Sequence, residues 1–510
     1  MKKIILSLIA LAGIMTSCDM DLKPEGVLDN TSAITTIDDC LYFRNGCYST
    51  LRSLTCGSYI GNTEIQMDQF NGTTGNGSRG SYFANAQITS GYGDITSPYS
   101  GLYHAINNVL YFLENAEPML AREDLTDNDR DALKRYIGEA KFARAFYYFW
   151  LMDHYCQAYT PEKGAQEGLG LSIVEKFNPT GDTSSYPGRS SMDDVLKLIN
   201  DDLNDAYTAL KAYEDLGHTE NCKPNAPYIS SYTVNAMQAR VALATGDYST
   251  AVTKAQAVIA NANYQLAEGQ AYVDMWINDE GSELIFVPAV PTNESDYIGS
   301  TCQTWNYWWA ETSTSDYIPS QRTLNAYSED DIRYEAFFTD NYKLTVEASS
   351  LYATVFTKYP GNDKLISGTN MYKNKPKPFR LSEQYLILAE AAVESNQATI
   401  ANNALTALRQ KRISGYQPVN YTDSQLRQQI RDERSKELIG EGFRMSDLRR
   451  WNLGFTRDGN YTYNPDVKNI MVYAGLQVSY NPGDYRYVWP IPADEMEINP
   501  QLAGQQNPGY

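Results

Sequence analysis

Apolar positions along the chain recur mostly at helical spacing, and four stretches read as helix pairs. The first pair runs from Ser97 to Glu117 and from Asp127 to Tyr159. Its second member carries Ala140, Phe142, Ala143, Ala145, Phe146, Phe149 and Trp150, apolar on nearly every side, which predicts a deeply buried helix. Asp124 to Asp129 supplies capping residues ahead of it. The second stretch is Ser191 to Tyr213, with Ser190 or Ser191 as N-cap. The third is Ser230 to Ala262, broken at Gly246-Asp247. The fourth is Leu381 to Arg412, broken at Asn396, and a further helix follows over Asp423 to Gly440.

The third and fourth stretches resemble each other. At an offset of 150 residues, Ala239, Ala242, Ala251 and Ala257 meet Ala389, Ala392, Ala401 and Ala407, and Gly246 meets Asn396. Gly and Asn both tolerate the left-handed conformation that ends helices. Small residues at the other places let antiparallel helices approach closely. The Ala239, Gly246, Ala251 spacing looks like a tetratricopeptide hairpin, but the offset is not a multiple of that repeat's period of about 34 residues. Inserted material must therefore separate the hairpins. The insertions are 264–372 and 451–510, rich in Tyr, Trp, Asn, Pro and Gly. They read as loops with short strands and helices laid on a helical frame, the usual place for binding chemistry. The expectation is a mainly α fold: one domain over 31–510, with its scaffold at about 36–262 and 381–450.

The N-terminus bears on compartment. Lys2 and Lys3 precede an apolar run from Ile4 to Ala12, the size of a signal-peptide core and short of the roughly 20 residues that span a bilayer. Met15-Thr16-Ser17-Cys18 looks like a bacterial lipobox. We expect residues 1–17 to be a signal peptide, Cys18 to be lipidated, and 18–30 to be a flexible acidic tether. No later segment is long and apolar enough to cross a membrane. Of the six other cysteines, Cys40 and Cys47 are seven apart and fit one helix face. No zinc-type Cys-x-x-Cys spacing occurs. Buried free thiols are the expectation, although an extracytoplasmic compartment permits disulfides.

Charge and composition exclude several classes. Lys plus Arg is 42 against 62 Asp plus Glu, a formal net charge of −20, which repels nucleic acid. The three histidines, His104, His154 and His218, are scattered and form no metal-ligand pattern; no metal or cofactor is expected. There is no nucleophile elbow and no P-loop. Gly75 to Gly80 matches Gly-x-Gly-x-x-Gly but neither follows a strand pattern nor opens a helix, so it reads as a surface loop. Glu433 and Glu437 lie four apart on one helix face, a spacing that invites a glycosidase reading. The surrounding Arg431, Arg434, Arg444, Arg449 and Arg450 would hold both carboxylates ionised, whereas a general acid needs its pKa raised. The group reads as a structural ion-pair network.

Forty tyrosines and seven tryptophans suit a surface for amphipathic ligands. The densest cluster is Trp305, Tyr307, Trp308 and Trp309, flanked by Thr301, Gln303, Thr304 and Glu311. Sugar rings pack their C–H faces on flat aromatics and need polar groups in the ring plane; the cluster offers both. Its bland alternative is a loop core that pins the insertion to the scaffold. Asp68, Asn71, Arg79, Tyr82 and Tyr92, in another loop-like stretch, are candidates for the in-plane hydrogen bonds.

Several blocks in order resemble the SusD/RagB family of outer-membrane nutrient-binding lipoproteins. They are the start at Cys18, Glu139 to Phe149, Tyr327 to Arg333, Leu381 to Glu383 with Leu388 to Ala391, Arg431 to Trp451, Trp489 to Glu495, and Gln506 to Tyr510. One departure is Tyr99, where relatives often carry tryptophan, at what reads as a structural position. The resemblance implies about four tetratricopeptide hairpins and no covalent chemistry. It implies an outer-membrane location facing the cell exterior and a SusC-like TonB-dependent transporter as partner. It also implies a glycan ligand, delivered to that transporter, with a peptide as the alternative. A surface glycoside hydrolase is the rival from another class; it requires two opposed carboxylates in a cleft.

Overall fold

The computed structural model describes residues 33–73, 81–290, 306–309, 312–346, 349–365, 373–457 and 478–510. Helix α1 (Ile37–Leu54) opens with a capping box. The Thr36 hydroxyl accepts from Asp39 N, and the Asp39 carboxylate accepts from Thr36 N, an arrangement worth about 1 kcal/mol. Cys40 and Cys47 are both buried on this helix. They and Cys156 and Cys222 are free thiols, and Cys56 is buried; Cys302 and Cys18 lie outside the described residues. Then come α2 (Ser58–Gln66), β1 (Phe70–Gly72) and α3 (Ser81–Ala84).

The first expected pair is α4 (Gly93–Met119) and α5 (Asp127–Tyr155), packed on each other. Helix α4 begins four residues before the expected Ser97, because Pro98 is accommodated inside it. Thr126 and Asp129 form a second capping box at the start of α5. Its centre is buried all round, with Ala140, Phe142, Ala143 and Ala145 fully enclosed. Tyr99 is buried and meets Tyr155 edge-on at 5.0 Å, a structural position as expected. After α6 (Pro161–Gly164), helix α7 (Met192–Asp215) is capped by Ser191 and packs along α5. That approach needs Gly138, since a Cβ there would sit 2.7 Å from Ala209 Cβ.

The repeat is visible in α8 (Ser231–Thr245) and α9 (Tyr248–Ile259). Gly246 takes φ 78°, Asp247 N donates to Ala242 O, and Gly246 N donates to Leu243 O. The chain then passes through α10 (Gln270–Asn278), β2 (Leu284–Phe286), β3 (Asn306–Trp309), β4 (Thr312–Ser315), β5 (Tyr317–Pro319), α11 (Gln321–Leu324), α12 (Ile332–Phe337), β6 (Phe338–Val346), β7 (Ser349–Phe356) and β8 (Phe379–Arg380). It returns to the scaffold as α13 (Leu381–Glu394) and α14 (Ala398–Arg412). There Asn396 takes φ 60°, Gln397 N donates to Ala392 O, and Asn396 N donates to Val393 O. Both repeats thus close on the same Schellman bonds, 150 residues apart. Ala239, Ala242, Ala251, Ala389, Ala392 and Ala401 are buried in one shared cluster. Ala257 is exposed and Ala407 only half-buried; Ala255 and Ala404 fill the cluster in their stead. The offset overlay matched residue types two and three positions along the helix from the residues that make the contact.

Helices α15 (Asp423–Glu437) and α16 (Arg444–Arg450) follow, then β9 (Phe455–Arg457), β10 (Val478–Tyr480) and α17 (Ala493–Ile498). Among the described residues the strands form five separate two-stranded antiparallel ladders, so the fold is mainly α with short β clips. The C-terminal block locks onto α5. Trp489 N donates to His154 O, and the Asn507 side-chain amide donates to Tyr155 O and Trp489 O.

Glu433 and Glu437 stand in a buried ion-pair network. Glu437 accepts from Tyr272 Oη at 3.0 Å, Arg380 Nη1 at 3.1 Å, Arg412 Nε at 3.0 Å and Arg333 Nη1 at 3.2 Å. Glu433 meets Arg333 Nη1 and Arg409 Nε, each at 2.6 Å. Burial pushes both carboxyls upward, but the arginine charges prevail. Glu433 is held down at about 2, and Glu437 well below the usual range. The network is as expected; its partners differ. Arg434 pairs with Asp447, Arg444 with Asp68, Arg449 with Asp153 and Arg450 with Glu390. The arginines that reach Glu433 and Glu437 come from α12, β8 and α14. Residues next to each other on a helix point in different directions, so sequence neighbours are poor guides to partners.

Candidate ligand-binding site

The two loop-like stretches singled out above meet in space. Strand β1 pairs antiparallel with β5, with Phe70 opposite Pro319, Asn71 opposite Ile318 and Gly72 opposite Tyr317. The ladder is extended at both ends. Thr73 N donates to Asp316 O at 2.8 Å, and Ser320 N donates to Gln69 O at 2.8 Å. Strand β4 runs directly into β5 and pairs with β3 as a hairpin, Trp308 opposite Ser313 and Trp309 opposite Thr312. The aromatic hairpin and the segment from Gln69 to Thr73 are therefore tied together by backbone hydrogen bonds.

Helix α3 brings Tyr82 up beside this clip. It closes with Gln87 N donating to Tyr82 O at 2.8 Å and Ala86 N to Phe83 O at 3.1 Å. This is a Schellman ending with alanine, φ 58°, in the place that usually takes glycine. Arg457 on β9 holds the helix end, its guanidinium donating to Ala84 O, Ile65 O and Gln66 O. Phe83 is fully buried and tilted against Trp489 at 5.5 Å. With Phe83 fixed inward, Tyr82 is left half-buried. Its ring stacks on Tyr92 at 4.1 Å and 21° between planes, and its hydroxyl donates to Asp94. Burial and that carboxylate push the Tyr82 hydroxyl pKa well above its ordinary value. The result is a partly exposed pair of flat rings with an exposed carboxylate at one edge.

Asp68 is buried, and both its oxygens accept from Arg444, from Nε and from Nη2, each at 2.7 Å. Asn71 is buried on β1. These two belong to the walls of the loop junction, whereas Tyr82 and Tyr92 reach its surface. Trp305 and Arg79 lie outside the described residues. Tyr307, Trp308 and Trp309 are described as backbone of β3 only. Asp94 was not singled out from sequence; a carboxylate two residues after Tyr92 in a Gly-Tyr-Gly-Asp run was the available signal.

Comparisons with known proteins agree with this architecture. A profile described as "SusD family" matches residues 346–510, and one described as "Starch-binding associating with outer membrane" matches residues 58–243. The chain is similar to a SusD superfamily protein from Bacteroides thetaiotaomicron, 24% identical over 93% of this chain and 100% of that one, with a TM-score of 0.75. It is also similar to a putative sugar binding protein from Bacteroides vulgatus, 23% identical over 94% and 100%, with a TM-score of 0.71. These likenesses establish the fold. A curated relative, SusD-like protein P25 of Formosa agariphila, is 29% identical over 137 residues, which span 26% of this chain and 24% of that protein. The two profiles cover non-overlapping stretches, and together with the SusD-like curated relative they assign the chain to the SusD/RagB family.

Proposed function

We propose that the protein binds a glycan at the cell surface and passes it to a TonB-dependent outer-membrane transporter, without cleaving it. In this reading Cys18 carries the lipid that holds it to the outer membrane, with the ligand face outward. The observation that carries the binding half is the stacked, partly exposed Tyr82–Tyr92 pair with Asp94 at its edge, and the β1–β5 ladder ties the preceding segment to the hairpin bearing Tyr307, Trp308 and Trp309. Flat rings with polar groups at their edges suit pyranose rings, whose C–H faces are apolar and whose rims are hydroxyl-rich. The starch-binding description of one matching family and the sugar-binding relative in Bacteroides vulgatus support the same ligand class. The ionised, buried state of Glu433 and Glu437 supports a non-hydrolytic role.

The test is calorimetry against a panel of neutral oligosaccharides. Tyr82→Ala with Tyr92→Ala, and separately Trp308→Ala with Trp309→Ala, should each weaken binding at least tenfold, about 1.4 kcal/mol. Circular dichroism should remain that of the parent. Unchanged affinity in both doubles would remove the platform, and new reducing ends after incubation would overturn the non-enzymatic reading.

A further inference from the structure

A second feature lies at the end of the β1–β5 ladder away from the aromatic hairpin, where Gln69 and Ser320 close it. Here a polar cleft of about 920 Å³ opens between α11, α15 and α16. Its lining runs against the charge of the chain. Five cations, Arg322, Arg409, Arg431, Lys436 and Arg444, face only two carboxylates, Asp68 and Asp432. Arg444 is neutralised by Asp68 and Arg409 by Glu433, while Lys436 lies 3.5 Å from Asp331 and 3.7 Å from Glu433.

Two guanidiniums remain. The Arg322 side chain is 72% exposed, with only Asp68 at 3.8 Å, and that carboxylate is already held bidentately by Arg444. Arg431, among the described residues, has neither a hydrogen bond nor an ion pair, only the Trp451 ring at 5.3 Å. Asp432, the remaining carboxylate, accepts from the Gln428 amide. Planar guanidiniums without partners recognise carboxylate and sulfate oxygens in preference to hydroxyls.

We propose that this cleft is an anion subsite, taking the carboxylate or sulfate group of an acidic glycan through Arg322 and Arg431. The inference rests on the glycan reading for what carries the anion.

The experiment is calorimetry with hexagalacturonate, its neutral methyl ester, a sulfated galactan oligosaccharide and sodium sulfate, at low and high salt. We expect at least one acidic oligosaccharide to bind tenfold tighter than the neutral ester, with the gap shrinking as salt rises. Arg322→Gln and Arg431→Gln together should abolish that preference and leave neutral binding within twofold. Both side chains lie outside the core, so the fold should survive, as near-parent denaturation would verify. Equal binding of acidic and neutral oligosaccharides, or an undiminished preference in the double variant, overturns the proposal. Binding of sulfate with no gain for acidic glycans also overturns it, leaving an inorganic-anion site. If no oligosaccharide binds, neutral or acidic, the glycan reading falls as well; if neutral ones bind without charge preference, only the subsite falls.

Discussion

Replacing Glu437 with glutamine removes one charge from the centre of the buried network and keeps the side chain's size. Arg333, Arg380 and Arg412, each at most 1% exposed, would lose their shared acceptor charge. An uncompensated buried charge costs about 3–5 kcal/mol. The glutamine amide can replace only part of the hydrogen bonding, so Glu437→Gln should lie within that range. The assay is guanidinium denaturation followed by tryptophan fluorescence. As a contrast, Lys197→Ala opens a pair with Asp201 whose side chains are 73% and 61% exposed, and should leave the midpoint unmoved. The acid limb gives a second reading. Glu433 and Glu437 both have folded pKa values below the ordinary 4.5. Their stabilisation is therefore complete above pH 4.5 and drains as pH falls; for Glu433 the window runs down to about 2 and is worth about 3 kcal/mol. In Glu437→Gln the acid limb should be shallower. A loss below about 1 kcal/mol with an unchanged acid limb would refute the account of the network.

Three further outcomes are expected. Burial pushes the Glu64 carboxyl up to about 7, despite backbone donors at Gly440 and Gly442. Its contribution is thus full below pH 4.5 and lost as pH rises to about 7. Glu64→Gln should flatten the fall in denaturation midpoint between pH 5 and 8, and an unaltered slope counts against it. Ala86→Gly should relieve the left-handed alanine and stabilise by up to about 1 kcal/mol; a clear destabilisation in thermal melts contradicts the strain. Ala239→Leu should overpack the repeat interface at a cost of about 1–3 kcal/mol, while Ala257→Leu on the exposed side should be neutral; equal effects would mean the contact face is misassigned.

Much of the scaffold was legible because helix pairs leave local marks. The breaks at Gly246 and Asn396, the caps at Thr126 and Ser191, and the enclosed middle of α5 all follow from residues close in sequence. Contacts across the fold left weaker marks. The acidic pair on α15 implied arginine partners, yet Arg333 in the insertion and Arg380 just past it lie about 50–100 residues away, and no local pattern joins them to Glu437. The aromatic run at Trp305 to Trp309 and the polar stretch from Asp68 could be paired only by composition. Their tie is backbone hydrogen bonding between β1 and β5, three residues each, too short to announce themselves by alternation. The pairing of Asp68 with Arg444 left no local mark, because that partner sits 376 positions later in the chain.

The charged clasp around Glu437 has a consequence for loop exchange within this family. Arg333 and Lys358 arrive on the ligand-bearing insertion and Arg380 just past it, Lys358 and Arg380 each reaching Glu441 at 2.6 Å, whereas Glu433, Glu437 and Glu441 stay on the frame. Transplanting the insertion between relatives is then a question of where the cuts fall. Cuts before α12 would swap the ligand-facing hairpin and leave the arginines with their native acceptors. Cuts that carry α12 and β8 across would import foreign cations into a closed electrostatic lock, and such chimaeras should fail to accumulate however well their binding loops are chosen.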